Sequence, residues 1–264
     1  MTGEATSLDR VIDGRRLEIA HWRVPGRAVE PPIVMLHEGL GSVALWKDFP
    51  QKVAQRCGHD VIAYSRYGHG RSEPLAAPRE VDYMHREAQR VLPALLDELG
   101  LSRPILLGHS DGGSIALIFA GTHPGAVTAL ILEAPHVFVE DLTVASIAGA
   151  RVAFDTTDLG AKLGRYHDNP ARTFRGWNDI WLDPRFRSWN IESYLETIDA
   201  PILLVQGRED EYGTLAQLEA IASRTDARIA IVERSGHSPH RDQVEATLDA
   251  MTRFIASIDA REIR

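Results

Sequence analysis

Short, unbroken apolar runs recur along this chain, separated by helical patterns, and that alternation limits the fold more than any other feature. Ile33–Leu36, Val61–Tyr64, Ile105–Leu107, Val127–Leu132, Ile202–Val205 and Arg228–Val232 are continuous enough to be strands buried on both faces. Between them fall the helical patterns Trp46–Gln55, Val81–Leu99, Ser114–Ala120, Leu215–Ser223 and Arg241–Ile258. Pro93 should bend or split the second of these. Arg16–Trp22 alternates like an early antiparallel strand. Strands alternating with helices imply an α/β fold, a mostly parallel sheet with helices on both faces and right-handed crossovers. A length of 264 residues suits one such domain.

One interval breaks the rhythm. From Val137 to Leu195 no strand pattern stands out, and helix-compatible segments mix with Gly160, Gly164, Pro170, Gly176 and Pro184. Trp177, Trp181 and Trp189 lie here, with Phe154, Phe174, Phe186, Tyr166 and Tyr194. A helical insertion between two strands of the sheet accounts for this. Its aromatics could form a small core of their own or line a pocket from above, and both can hold for different residues.

The chemistry is concentrated in Gly108-x-Ser110-x-Gly112, which follows a predicted strand and precedes a predicted helix. A serine on a tight strand-to-helix turn is strained, and its neighbours must be glycine to avoid clashes. The turn lifts the hydroxyl clear of the sheet. It also aims the Asp111 N–H and the positive helix end at negative charge developing on a substrate oxygen.

Serine needs a base, and the base needs an orienting acid. For a serine on such a turn the chain order is serine, acid, histidine. Past the run Ile202–Val205 stands Gln-Gly-Arg-Glu-Asp-Glu, where Asp210 is the chosen acid and Glu209 and Glu211 are alternatives. Past Arg228–Val232 comes Ser235-Gly-His-Ser-Pro-His240, where His237 is the chosen base and His240 the second candidate. Glu133, at the end of Val127–Leu132, is a further contender for the acid. After Ile33–Leu36, the loop His37-Glu-Gly-Leu-Gly-Ser42 can aim a second backbone N–H, that of Gly39, at the same oxygen.

Composition narrows the alternatives. The net charge of −8, from 29 basic and 37 acidic residues, argues against a nucleic-acid surface. A single cysteine, Cys57, excludes an internal disulfide and a cysteine zinc site. There is no H-E-x-x-H, and His167-Asp168 and His237-x-x-His240 are too sparse for a metal site. Gly68-His-Gly-Arg lacks a dinucleotide fingerprint. No metal or other cofactor is expected. The opening MTGEATSLDR carries no apolar leader, and the most apolar stretch, Pro104–Leu132, is too interrupted to span a bilayer. The expectation is a cytoplasmic protein without a membrane or nucleic-acid partner, with monomer and homodimer both open.

The sequence resembles α/β-hydrolase fold proteins of the lidded esterase, lactonase and carbon–carbon bond hydrolase type. The resemblance rests on the His37–Gly41 loop, Ser65-Arg-Tyr-Gly-His-Gly-Arg-Ser72, the Gly108–Gly113 turn, Gly207-Arg-Glu-Asp210 and Gly236-His237, in that order. It implies an eight-stranded core from 1–136 and 196–264, with 137–195 as the helical lid. It also implies Ser110 as nucleophile, Asp210 as acid and His237 as base, with the Gly39 and Asp111 N–H groups as the oxyanion hole. His37, Glu38, Tyr67, Trp177 and Trp181 are candidate pocket residues. Two departures stand out. Glu38 occupies a position where such proteins usually have glycine, and it is expected to face away, paired with an arginine. Ser65 stands where relatives often have aspartate, and Tyr67 of that turn could reach the pocket mouth.

The resemblance gives hydrolysis of a small carboxylic ester or lactone through an acyl-enzyme as the first reading. The alternatives are a carbon–carbon bond hydrolase acting on a ring-fission dienoate, with lid arginines holding its carboxylate, and a ligand-binding homologue without turnover. His109 stands where the carbon–carbon hydrolases often carry asparagine.

Overall fold

A computed structural model of the chain describes residues 5–24, 26 and 28–262, the last four by backbone alone. Residues 1–4, part of the opening read above for a leader, lie outside it. The strands are β1 (Thr6–Ser7), β2 (Arg10–Ile12), β3 (Arg15–Leu17), β4 (Ile19–Trp22), β5 (Val29–Leu36), β6 (His59–Tyr64), β7 (Ile105–His109), β8 (Ala129–Glu133), β9 (Ile202–Gly207) and β10 (Ala227–Val232). Eight of them form one sheet in the order β1-β4-β6-β5-β7-β8-β9-β10, while β2 and β3 pair separately. β1 and β4 run antiparallel to their neighbours, and all pairs from β6 through β10 are parallel. The alternating pattern at Arg16–Trp22 is divided between β3 and β4.

The apolar runs are buried on both sides because alternate residues feed opposite cores. Val34, Leu36, Leu106, Leu130, Leu132 and Leu204 pack on one face. Ile33, Met35, Ile105, Leu107, Ile131 and Val205 pack on the other. A continuous apolar run and a two-residue period are therefore the same fact seen twice.

The expected helix over Val81–Leu99 is three pieces: Tyr83–Arg86, a π-helical turn over Glu87–Val91, and Leu92–Leu99. Pro93 lacks the amide that would continue the ladder, and the wider turn forms just before it. The helix after β7 runs over Asp111–Thr122 with nearly every side chain buried, which explains why it is apolar all round. The pattern at Arg241–Ile258 divides into Pro239–Asp242 and Val244–Glu262.

Between β8 and β9 the chain forms the helices Asp141–Thr156, Leu159–Leu163 and Pro170–Trp181, then 3-10 turns at Pro184–Ser188 and Glu192–Thr197. Asn169 caps the third helix by accepting the Arg172 N–H, with Pro170 in its first turn. Phe154 and Phe174 stack at 4.0 Å, and Trp181, Phe186 and Trp189 form a second ring cluster. Among the described residues, no helix is long and apolar enough to cross a membrane.

Candidate active site

Every residue of the candidate triad sits at or beyond the carboxyl end of a parallel strand, where open α/β sheets place their sites. Ser110 follows β7 with φ 53° and ψ −117°, a region that non-glycine residues rarely occupy. Its N–H donates to the Glu133 carbonyl at 2.8 Å, and the helix Asp111–Thr122 starts at the next residue. Such a conformation costs on the order of 1–3 kcal/mol and persists only where its surroundings enforce it. Gly112 is part of that enforcement: a Cβ there would fall 2.1 Å from the Leu36 carbonyl oxygen, so the turn can approach β5 only as glycine.

Asp210 and His237 lie in the loops after β9 and β10. The His237 Nδ1 stands 2.9 and 3.0 Å from the two Asp210 carboxylate oxygens. Asp210 Oδ1 also accepts the N–H groups of Tyr212 and Gly213, at 2.8 and 3.2 Å. Burial pushes the Asp210 carboxyl up, but the His237 contact and the Tyr212 N–H outweigh it and hold it below its ordinary value. An ionised Asp210 fixes the proton on Nδ1 and leaves Nε2 as the acceptor. The His237 backbone is anchored at both ends: its N–H donates to Glu211 at 3.2 Å, and its carbonyl is 2.7 Å from His109 Nε2.

Ser110 and His237 border the same cavity, of about 450 Å³. Gly39, Asp111, Trp177 and Trp181 border it as well, and Ile147, Leu159 and Leu163 make part of its apolar wall. Two residues expected at the pocket do not reach it. His37 is buried beneath the loop, its Nδ1 2.7 Å from the Glu38 carbonyl and its Nε2 accepting the Arg66 N–H at 3.0 Å. Tyr67 turns toward the N-terminal strands, donating its hydroxyl to the Ile12 carbonyl at 2.5 Å under the Arg15 guanidinium.

Glu38 departs from expectation in part. It borders the cavity instead of facing away, but it does pair with an arginine. Arg241 donates to its Oε1 at 3.4 Å, and His109 Nδ1 lies 3.7 Å from its Oε2. Burial opposes the Glu38 charge, and these two neighbours overcome it, holding the carboxyl well below its usual range.

Two other contenders, Glu133 and His240, are engaged with each other. Glu133 takes His240 Nδ1 at 2.9 Å and the His240 N–H at 3.2 Å, deep in the protein. His240 packs on Trp46 and Phe49, and neither member of that pair borders the cavity. Among the described residues, no group of three or more His, Cys, Asp or Glu side chains is gathered to hold a metal ion.

Sequence reasoning missed a buried network under the serine turn. The Asp111 carboxylate accepts the Tyr83 hydroxyl at 2.8 Å and the Trp181 indole N–H at 3.3 Å, and it pairs with Arg66. Arg66 belongs to the Ser65–Ser72 turn already noted, but nothing in that turn's sequence distinguishes the buried Arg66 from the exposed Arg71. His136 and the cations Lys47, Lys162 and Arg241 were also missed at the cavity, whereas Arg165, one of the lid arginines considered for a substrate carboxylate, does border it. Single side chains of that kind leave no pattern in a sequence.

A family model of the alpha/beta hydrolase fold matches residues 31–174. Mouse sn-1-specific diacylglycerol lipase ABHD11 is 26% identical over 275 residues, spanning 92% of this chain and 87% of that protein. The crystal structure of proline iminopeptidase from Mycobacterium smegmatis superposes with a TM-score of 0.79 at 17% identity, covering 97% of this chain and all of that one. The enol-lactonase from Burkholderia xenovorans LB400 gives 0.75 at 19% identity, over 94% of this chain and all of that one. At such identities the two structures speak to the fold. The family match is what carries further: it takes in more than half of the chain, from β5 through the serine turn and well into the segment after β8, and so this chain belongs to the α/β-hydrolase fold family.

Proposed function

We propose that this protein is a serine hydrolase that cleaves a small carboxylic ester or lactone through an acyl-enzyme. The observation that carries the reading is the pairing of Ser110, held at φ 53° over one cavity, with a His237 on that same cavity whose Nδ1 is committed to Asp210. Membership of a hydrolase family and the likeness to a lipase support an enzyme over a passive binder.

In this mechanism the Ser110 Oγ attacks the carbonyl carbon while His237 Nε2 takes its proton. The Gly39 and Asp111 N–H groups hold the resulting oxyanion. His237 returns the proton to the leaving alkoxide as the acyl–oxygen bond breaks; in a lactone that alcohol stays tethered to the acyl group. Water, deprotonated by His237, then attacks the acyl-enzyme, and His237 returns the proton to Ser110 Oγ as its bond to the acyl group breaks and the acid is released. The segment 137–195 serves as the lid, its Trp177 and Trp181 forming the roof of the acyl site. The cavity's apolar wall suits an acyl chain.

A second reading has one observation in its favour. Lys47, Lys162 and Arg165 border the cavity and would suit a substrate carboxylate, as in dienoate carbon–carbon cleavage.

The test is hydrolysis of para-nitrophenyl acetate and butyrate, lactones and a dienoate by wild type and Ser110→Ala. Loss of ester turnover in Ser110→Ala, with fluorophosphonate labelling confined to Ser110, is the expected result. Turnover that survives the substitution overturns the reading.

A further inference from the structure

Three consecutive carbonyls of the loop after β5 are each met by a different buried imidazole. The Glu38 carbonyl lies 2.7 Å from His37 Nδ1, the Gly39 carbonyl 3.0 Å from His69 Nε2, and the Leu40 carbonyl 2.8 Å from His167 Nε2. Arg66 adds a second donor to Glu38 at 2.8 Å. In a trans peptide the carbonyl and the following N–H point in opposite directions. Fixing the Glu38 carbonyl inward therefore turns the Gly39 N–H outward, and fixing the next two prevents the loop from rotating back.

His167 differs from the other two in origin, because it comes from the segment between β8 and β9. Its Nδ1 accepts the Gly70 N–H at 2.9 Å while its Nε2 serves Leu40, so it must be neutral with the proton on Nε2. The same segment secures the turn that carries His69: the Asp168 N–H donates to the Gly70 carbonyl at 3.0 Å, and the Thr173 hydroxyl to Gly68 at 2.6 Å. Trp177 then covers the loop from the cavity side. A Cβ on Gly39 would fall 2.1 Å from the Trp177 Nε1, so indole and peptide are in direct contact. On the other half of the hole, the Trp181 N–H reaches Asp111.

We propose that the segment between β8 and β9 braces the oxyanion hole, and that His167 is the positioning residue which, through Leu40 and Gly70, holds the Gly39 N–H in its working direction. This rests on the serine-hydrolase reading for its catalytic consequence. A segment that only roofed the pocket would set substrate affinity. One that braces the oxyanion loop sets the rate of the chemical step, because the loop's donors act on charge present only in the transition state.

The test uses the full chain with His167→Ala, His167→Gln and His167→Asn. A glutamine can present its amide N–H₂ near the Nε2 position and keep the bond to Leu40. An asparagine reaches only the Nδ1 position and keeps the acceptor for Gly70. The brace predicts that Ala and Asn lower kcat about ten- to hundredfold with KM within about threefold, while Gln stays within about threefold of wild type; full loss of one oxyanion donor is worth about 10²–10³. Hydrogen–deuterium exchange of the peptide containing residues 38–41 should quicken in Ala and Asn and not in Gln. Equal kcat and equal exchange in Gln and Asn overturn the brace, even where Ala does not fold. Variants that change KM alone also overturn it. A wild type that cleaves none of the esters, lactones or dienoates refutes the hydrolase reading, and the exchange comparison then still decides the brace.

Discussion

The guanidinium of Arg66 and the carboxylate of Asp111 form an ion pair at 3.4 Å with side chains only 1% and 2% exposed, directly beside the serine turn. In the proposed mechanism the Asp111 N–H belongs to the oxyanion hole, where a nearby carboxylate would oppose the charge to be stabilised and Arg66 would offset it. The pair also joins three parts of the chain: the turn after β6, the serine turn, and through Tyr83 and Trp181 the helices around them.

Removing one partner strands the other in a dry interior. Arg66→Met should destabilise the fold by about 3–5 kcal/mol, because it leaves the Asp111 charge buried and unpaired. It should also lower kcat, since an uncompensated negative charge then faces the developing oxyanion. The double variant Arg66→Met with Asp111→Leu should recover part of the lost stability, as apolar replacement of both ends of a buried pair often does. Urea unfolding of the two variants against wild type checks this; equal stability of Arg66→Met and wild type would show the pair to be unimportant.

The two buried acid–histidine pairs can be told apart by kinetics. Asp210→Asn should lower kcat by about 10⁴, the order known for the corresponding change in a serine protease, because a neutral amide no longer holds the His237 tautomer. Glu133→Gln should cost stability, since His240 loses its charged partner, yet leave kcat within a few-fold. The ratio of the two kcat values at one pH, with folding verified by circular dichroism, is the measurement. A larger rate loss in Glu133→Gln would move the acid to β8.

How much of this the sequence disclosed follows from the range of each interaction. The parallel sheet was legible because burial on both faces writes itself as continuous apolar runs, and the serine turn because its two glycines stand at fixed spacing around the serine, Gly108 held by backbone contact with Gly112 and Gly113, and Gly112 by its approach to Leu36. Asp210 and His237 were legible through position alone, each just beyond a strand end. The Arg66–Asp111 pair spans 45 residues, and His167 meets Leu40 across 127. No local period records such a meeting. Tyr67 shows the converse: its place in the turn suggested the pocket, but a hydroxyl bond to Ile12, 55 residues away, directs it to the N-terminal strands. Glu38 was correctly matched with an arginine and wrongly turned away, because its partners Arg241 and His109 come from distant parts of the chain and hold it at the cavity.

The imidazoles around the site also make a prediction about pH. Burial, assisted by the Arg66 charge, holds His37 well below the ordinary imidazole value; burial, assisted by His37, does the same to His69. Burial lowers His167, against the pull of the Leu40 carbonyl, and burial with the nearby His237 brings His136 down to about 4. An unfolded chain takes up these protons near pH 6.5, whereas the folded one resists until lower pH. Between those limits the unfolded state binds more protons, so stability rises with pH. The contribution is fully present above about pH 6.5 and is lost as the pH falls toward the folded values; for His136 alone it reaches about 3 kcal/mol by pH 4. His109 works the other way: burial lowers it, but Glu38 raises it further, so its pairing favours the fold at acid pH. Burial lowers His85 and His240 as well, so six lowered imidazoles stand against one raised, which should leave a net loss. The urea midpoint should therefore fall steadily from pH 7.5 to pH 5, and His136→Gln should flatten that slope. A midpoint that holds steady or climbs over the same interval would mean that these imidazoles are charged in the folded protein, and that the hydrogen bonds accepted by His37 and His167 do not form.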